Sequence, residues 1–296
     1  MGQKLNILYI YQPLQILGIY RIGIIGGSGL DDPSKQIFQP RNIIKREDAK
    51  NDFGLPSSHL YVGSISGVEV VLLSRHGPGH KISPTGINYR ANLEAFRNLG
   101  CTHVLASTAC GSLAENITKG QLVIPNDFID RTIHRKNTFY DNTSEYYEGV
   151  RHIPMFPAFD CKTMDLIEQA AQNLGISVMK GATVVTIEGP RFSSRAESNM
   201  FRQWGGHLIN MTTCPEVYLA KEAGLLYASI AIATDYDCWK ESEDNVCVSD
   251  VLAIFKQNVE KVTSLLIKSV ELIGQEDWTQ SITNAKNLVK NSNVTH

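Results

Sequence analysis

The chain has 296 residues, 43% hydrophobic and 20% charged, the balance of a globular protein with a sizeable core. Its 28 Lys and Arg against 30 Asp and Glu give a formal net charge of -2, which excludes a global basic field for nucleic acid or an anionic membrane surface, so an anionic ligand needs a local site. The six cysteines form no C-x-x-C pair and no regular spacing, which argues against a zinc site or disulfide framework and for reduced thiols.

Residues 1–20 are apolar but broken by Asn6, Gln12, Pro13 and Gln15. The remaining run is too short for a membrane span, and no signal-peptide cleavage pattern follows. We expect an N-terminal extension outside the core, followed by one domain over 21–296. Arg21 to Leu30 (RIGIIGGSGL) reads as a buried strand entering a glycine-rich turn whose backbone N–H groups can approach a phosphate. It does not fit a dinucleotide fingerprint: after Gly27 and Gly29 the third glycine position holds Asp32, and Asp31-Asp32-Pro33 predicts a turn rather than a helix start.

Val68 to Ser74 predicts a second strand, delivering Arg75-His76 to its end with His80 just beyond. Ser83-Pro84 then predicts a helix start, with Ile87, Ala91, Leu93, Phe96 and Leu99 as its apolar side and Gly100 as its stop. Thr102 to Ser107 predicts a strand ending in Thr108-Ala109-Cys110-Gly111-Ser112, and Gln121 to Ile124 another. Tyr140 to Phe159 reads as irregular. Helix 162–174 closes at Gly175, and strand Thr183 to Ile187 follows.

Ser194 with Glu197 predicts a capping box for a helix ending at Gly205-Gly206. Strand 208–211 and a helix from Pro215 to Ala223 come next. Tyr227 to Thr234 (YASIAIAT) is apolar enough for a central strand buried on both faces, and a long helix runs from about Ser249 to Ile273. Alternating strands and helices imply an α/β fold with a central mixed sheet flanked by helices.

Ligands of open α/β sheets gather at strand carboxyl ends. Here those ends carry Gly26 to Gly29, Arg75-His76, Thr108-Ala109, Met211-Thr212 and Thr234-Asp235. A basic pair leaving a strand also reads as an ordinary surface feature. Combined with the hydroxyls of Ser28, Thr108 and Thr212, it suits an oxyanion such as phosphate. Asp235 and Asp237 read either as turn caps or as a reactive pair. Alternation along an extended chain places them on one face, where two neighbouring carboxylates do not both ionise readily. One would then hold a proton and the pair could address N7 and the 6-amino group of adenine.

The segments GIIGGSGL, RHGPGH and STACGSL, with TIEGPRFSSRAES and NMTTCPEVYLAKEAGLLYASIAIATDYDCW, resemble the trimeric purine nucleoside phosphorylase family, and within it the branch that cleaves 5'-methylthioadenosine. The resemblance runs from Arg21 to the C-terminal region. It implies a purine nucleoside phosphorylase-like fold and phosphorolysis of 5'-methylthioadenosine to adenine and 5-methylthioribose 1-phosphate. Inorganic phosphate is then a co-substrate, and no metal or organic cofactor is needed.

By resemblance, phosphate falls to Ser28, Arg75, His76, Thr108, Ala109 and Thr212, with Ser28 standing where the human-type enzyme has Thr. The purine falls to Phe192, Ser193, Ile209, Asp235 and Asp237, and the ribose to Met211. His80, Val248, Val251 and Leu252 line the methylthio end. A homotrimer is implied, with His152 and the tail near Val294 reaching a neighbouring site, in a cytoplasmic or nuclear setting and without nucleic-acid or membrane partners. Asp235 is expected to share a proton with N7 while Asp237 orients the pair. Glu188, Arg191, Arg195, Glu197 and Asn210 are read as loop anchors and caps. The alternatives are a 6-oxopurine or broader purine nucleoside phosphorylase on the same fold, which an aspartate pair disfavours, and a nucleotide-binding oxidoreductase or sensor built on the glycine loop.

Overall fold

The computed structural model describes residues 20–27, 30, 37–242 and 246–294. Among them a mixed sheet holds β1 (Arg21–Gly26), β2 (Asn42–Ile44), β3 (Leu60–Ile65), β4 (Val68–Ser74), β5 (Cys101–Ser112), β6 (Leu122–Ile124), β7 (Asp127–Arg131), β8 (Val178–Lys180), β9 (Thr183–Ile187), β10 (Leu208–Asn210) and β11 (Leu226–Asp235). Flanking it are α1 (Tyr89–Asn98), α2 (Cys161–Leu174), α3 (Arg195–Gln203), α4 (Thr213–Glu222), α5 (Val248–Gly274) and α6 (Thr279–Asn291). The expected α/β fold with one central mixed sheet is what these elements form.

Strand β5 decides where the site lies. It runs parallel to β1 only as far as the Ile25–Ala106 pair, and β10 joins the sheet antiparallel to it at Gly111 and Ser112. Between those two neighbours, Ser107 to Cys110 face a gap in the sheet. The other edge of β5 is closed by parallel pairing to β11, from His103 to Gly111. Backbone groups on the gap side therefore have no strand ladder and must find other partners, as the Ser107 carbonyl does in accepting from Arg75 Nη1.

The predicted central strand is β11, whose residues Leu226 to Thr234 are all buried. Helix α5 covers roughly 40 Å at 1.5 Å per residue and packs Phe255, Val262, Leu266 and Val270 into the core. The capping box is present, with Ser194 Oγ accepting from Glu197 N–H and the Glu197 carboxylate accepting from Ser194 N–H. Asp160 caps α2, and Gly175 ends it in the left-handed conformation at φ 66°, where a side chain is disfavoured.

Two expectations are corrected. Ser83 and Pro84 open only a single 3-10 turn, Pro84–Gly86, and α1 starts separately at Tyr89 with Asn88 as its cap. Asn88 Oδ1 accepts from Ala91 N–H and so offers a better start than a distant serine. Thr108 to Ser112 do not follow a strand end but continue β5, because β11 goes on pairing with them after β1 has stopped. The helical run of α4 does open at Pro215 as expected, since Cys214 just before it is non-helical (φ -98°, ψ 133°) and only a kink joins Thr213 to the helix. A further helix, α6, follows in the C-terminal region, a segment for which the sequence reading places no element.

Residues 1–19 of the expected extension, and the turn at Asp31-Asp32-Pro33, lie outside the described residues. Tyr20 packs on the core, and its hydroxyl accepts from Trp278 N–H at 2.8 Å. No helix among the described residues is long and apolar enough to cross a membrane.

Candidate active site

A cavity of about 570 Å³ opens over the gap in the sheet. Its anion end is formed by Arg75, His76, Thr108, Ala109 and Thr212, and its acid end by Asp235 and Asp237 with Ile209, Met211 and Phe192 between. Val248, Val251 and Leu252 from the start of α5, with His80, form an apolar rim. Residues from six separated stretches thus reach one space. Ser28 lies outside the described residues.

At the anion end Arg75 is 1% exposed. Its Nε and Nη2 each donate to Glu216 at 2.7 Å, and Nη1 donates to the Ser107 carbonyl at 2.9 Å. Burial works against the cation, but the Glu216 carboxylate more than offsets it and Arg75 is held charged. Gly27 must be glycine here, since a Cβ would sit 2.4 Å from Ser107 O and 2.8 Å from Arg75 Nη1. His76 contacts the Ile82 carbonyl through Nδ1 at 2.8 Å. A carbonyl only accepts, so Nδ1 carries the proton. Burial and then the Arg75 charge push the His76 pKa down to about 3, leaving a neutral ring. His80 (φ 54°) stacks on that ring with centroids 4.0 Å apart.

Asn210 ties the two halves together. Its Nδ2 donates to Thr108 Oγ1 at 3.0 Å and Thr213 Oγ1 at 2.7 Å, while Oδ1 accepts from Thr186 Oγ1 at 3.2 Å. Read from the sequence as a loop anchor, Asn210 also forms part of the cavity wall.

At the acid end the strand ends at Asp235, and Asp237 has φ 49°. Alternation along an extended chain therefore does not bring the two acids together, contrary to the sequence expectation. A left-handed turn does, closed by the Asp237 N–H donating to Asp235 Oδ1 at 2.7 Å. Asp235 Oδ2 accepts from Thr234 Oγ1 at 2.8 Å. Burial raises both pKa values, and the charge of Asp235 raises that of Asp237 further. Asp237 Oδ2 is buried with no hydrogen-bond partner among the described residues, as are the Ser193 and Ser198 hydroxyls. Both hydroxyls are near enough to moderate the Asp237 shift.

Ser193 stands beside Asp237, not on the cavity wall, and Phe192 is 38% exposed at the mouth. His152 is away from the wall as well; its N–H donates to Ser292 O at 2.9 Å, and Val294 N–H donates to Val150 O at 3.0 Å. Within the chain, His152 and the tail region are thus joined by backbone hydrogen bonds. Glu188, read as an anchor, accepts from the backbone of Ile133 and His134 and from Thr85 and Arg135. Burial opposes its charge, yet these donors bring its pKa down to about 2.

Sequence reading missed Glu216, Gly111 and Arg135. A lone acid in the apolar stretch of α4 was a usable signal for Glu216. Gly111 gave none, since its role is close approach: a Cβ there would lie 2.8 Å from Asp235 Oδ1 and 2.9 Å from Ile209 Cγ2. Arg135 donates to the carbonyls of Met211, Cys214 and Glu188, each at 2.7 Å. It joins segments more than fifty residues apart, which no local pattern records. No group of three or more His, Cys, Asp or Glu among the described residues is arranged to hold a metal.

Residues 21–271 match the phosphorylase superfamily. The S-methyl-5'-thioadenosine phosphorylase of Drosophila melanogaster is 56% identical, over 93% of this chain and 93% of its own. The solved methylthioadenosine phosphorylase from Schistosoma mansoni in complex with adenine superposes with a TM-score of 0.89 at 43% identity, covering 94% of this chain and 100% of that one. A point mutant of the Schistosoma mansoni adenosine/methylthioadenosine phosphorylase in complex with methylthioadenosine gives a TM-score of 0.87 at 43% identity, covering 93% and 99%.

Proposed function

The chain belongs to the phosphorylase superfamily, among the S-methyl-5'-thioadenosine phosphorylases, and from that premise we infer how its cavity works. It is a pentosyltransferase that cleaves 5'-methylthioadenosine with phosphate to adenine and 5-methylthioribose 1-phosphate. The observation that carries the residue roles is the cavity's polarity. An arginine and hydroxyls stand at one end and two pKa-raised carboxyls at the other, with an apolar floor between.

In the proposed reaction phosphate lies against Arg75, Thr108, Thr212 and the backbone edge at Ala109. As the C1'–N9 bond stretches, the ribose becomes oxocarbenium-like and negative charge builds on the purine. A proton held by the aspartate pair passes to N7, and a phosphate oxygen bonds to C1' from the opposite face. Asp235 already accepts two hydrogen bonds, whereas Asp237 Oδ2 accepts none among the described residues. We therefore assign the resting proton to Asp237 and leave Asp235 to receive it or relay it to the base, a refinement of the expected division of roles. Val251 and Leu252 give the methylthio group an apolar surface that a 5'-hydroxyl would not favour.

The reaction as proposed uses phosphate as co-substrate and no metal or organic cofactor. We place it in purine and methionine salvage in the cytoplasm, where its six unpaired cysteines stay reduced. We also propose a homotrimer in which the strap of His152 and the tail near Val294 closes a neighbouring site. Supporting this, Ile133 (74%), Phe156 (85%) and Val294 (52%) are exposed apolar residues on a single chain. Adenine release from 5'-methylthioadenosine, assayed with and without phosphate, tests the activity. Release that is independent of phosphate would sink it.

A further inference from the structure

Glu216 is not part of the cavity wall, and it is 1% exposed. Both its oxygens are nonetheless committed to a residue that is on the wall, taking Arg75 Nε–H and Nη2–H at 2.7 Å each. Oε1 accepts in addition from the Tyr227 hydroxyl at 2.8 Å, and that phenol is itself buried on β11. A guanidinium has five N–H donors. With Nη1 donating to Ser107 O, one N–H on each terminal nitrogen is left without a partner among the described residues.

An ion pair this deeply buried is a poor source of stability. The desolvation cost of two charges commonly matches or exceeds their attraction, and apolar residues of similar volume often do as well. Its place against an anion pocket suggests a different reason. A lone buried arginine would face a desolvation penalty whenever the pocket is empty, and would turn toward whatever acceptor relieved it. A bidentate carboxylate removes that penalty and fixes the plane of the guanidinium. With Arg75 neutralised in this way and His76 neutral, neither side chain brings uncompensated charge to the empty anion end.

We propose that Glu216, held in turn by Tyr227, is a positioning residue for the phosphate co-substrate. It holds Arg75 so that the two leftover N–H groups face the incoming phosphate. The proposal rests on the phosphorolytic reading, and it separates the two substrates: the relay reaches phosphate and does not touch the purine end.

The test compares wild type, Glu216→Gln and Tyr227→Phe in two measurements. One is calorimetric binding of inorganic phosphate to the free protein. The other is the KM for phosphate and, separately, for 5'-methylthioadenosine. Glu216→Gln should raise the phosphate Kd and KM about tenfold or more, as expected for losing a charge-assisted pair. Tyr227→Phe should raise them about threefold, the scale of one neutral hydrogen bond, with the nucleoside KM changing in neither. Unchanged phosphate parameters, or a parallel rise of both KM values, would overturn the proposal. Should Glu216→Gln fail to fold, Tyr227→Phe decides alone. A wild type that binds phosphate but releases no adenine contradicts the reaction only, and the binding comparison still judges Glu216.

Discussion

The backbone N–H of Asp237 donates to the side chain of Asp235 at 2.7 Å, so the main chain of one acid satisfies the carboxylate of the other. Two carboxyls in one buried turn are held together this way without both relying on solvent. Among the described residues Asp237 Oδ2 is the oxygen of the pair without a hydrogen-bond partner, with the Ser193 and Ser198 hydroxyls nearby.

Replacing Asp235 by Asn should lower kcat/KM for 5'-methylthioadenosine by about 100-fold or more, the scale of one preorganised transition-state group, and favour inosine-type 6-oxopurines relative to it. Steady-state rates on both nucleosides check this, and equal wild-type and variant rates would remove Asp235 from the mechanism. The pH profile gives a second reading. Because burial raises both carboxyl pKa values, the proton is kept as pH rises past the ordinary aspartate range and is lost only when pH passes the raised value. The alkaline limb of kcat/KM should therefore move in Asp237→Asn.

Gly111→Ala places a Cβ 2.8 Å from Asp235 Oδ1 and 2.9 Å from Ile209 Cγ2. The neighbours must shift, at an overpacking cost of about 1–3 kcal/mol. The purine end should bear it, with nucleoside KM and kcat impaired and inorganic phosphate binding retained. Phosphate affinity lost to the same extent as nucleoside affinity would show that the two ends of the cavity are not separable.

Arg135→Lys keeps a charge but cannot make the planar set of bonds to Met211, Cys214 and Glu188. Unpaired buried carbonyls each cost about 1–3 kcal/mol. A lower urea midpoint should accompany a raised nucleoside KM, since the Met211 floor is one of the segments released. A variant with wild-type midpoint and kinetics would deny Arg135 any such role.

His76 and His103 are both buried, and burial first of all pushes each pKa down to about 3. The folded state holds them neutral, while the unfolded chain protonates them near 6.5. Their contribution is complete above pH 6.5 and is lost as pH falls toward 3, by about 2 kcal/mol per histidine between pH 6.5 and 5. Urea midpoints should drop from pH 7.5 to pH 5. The buried aspartates act in the opposite sense, so His103→Gln isolates one histidine and should show a shallower drop. Identical slopes for wild type and variant would contradict this.

The parts of the site legible in the sequence were those carried by local pattern. Strand β11 announced itself as an unbroken apolar run because a strand covered on both faces has no polar side to show. The capping box over Ser194 and Glu197 was equally plain, since its chemistry spans four residues. Arg75 and Thr108 could be placed at strand ends from strand patterns alone, although Thr108 proved to lie inside β5. The methylthio rim on Val248, Val251 and Leu252 came from family resemblance, as those residues are indistinguishable from any apolar helix face.

The sequence by itself determined an α/β chain, its central strand, and most of the polar groups that meet in the cavity, because strand and helix periodicities and strand-end polarity are local properties. Only the tertiary structure decided how those groups are armed. The gap beside Ser107 to Cys110 exists because β1 stops and β10 starts at different heights along β5. The acids meet through a left-handed residue, Asp237, rather than through alternation. Arg75 finds Glu216 across 141 positions of sequence. Each of these depends on where the chain returns in space, and residue spacing carries no record of that.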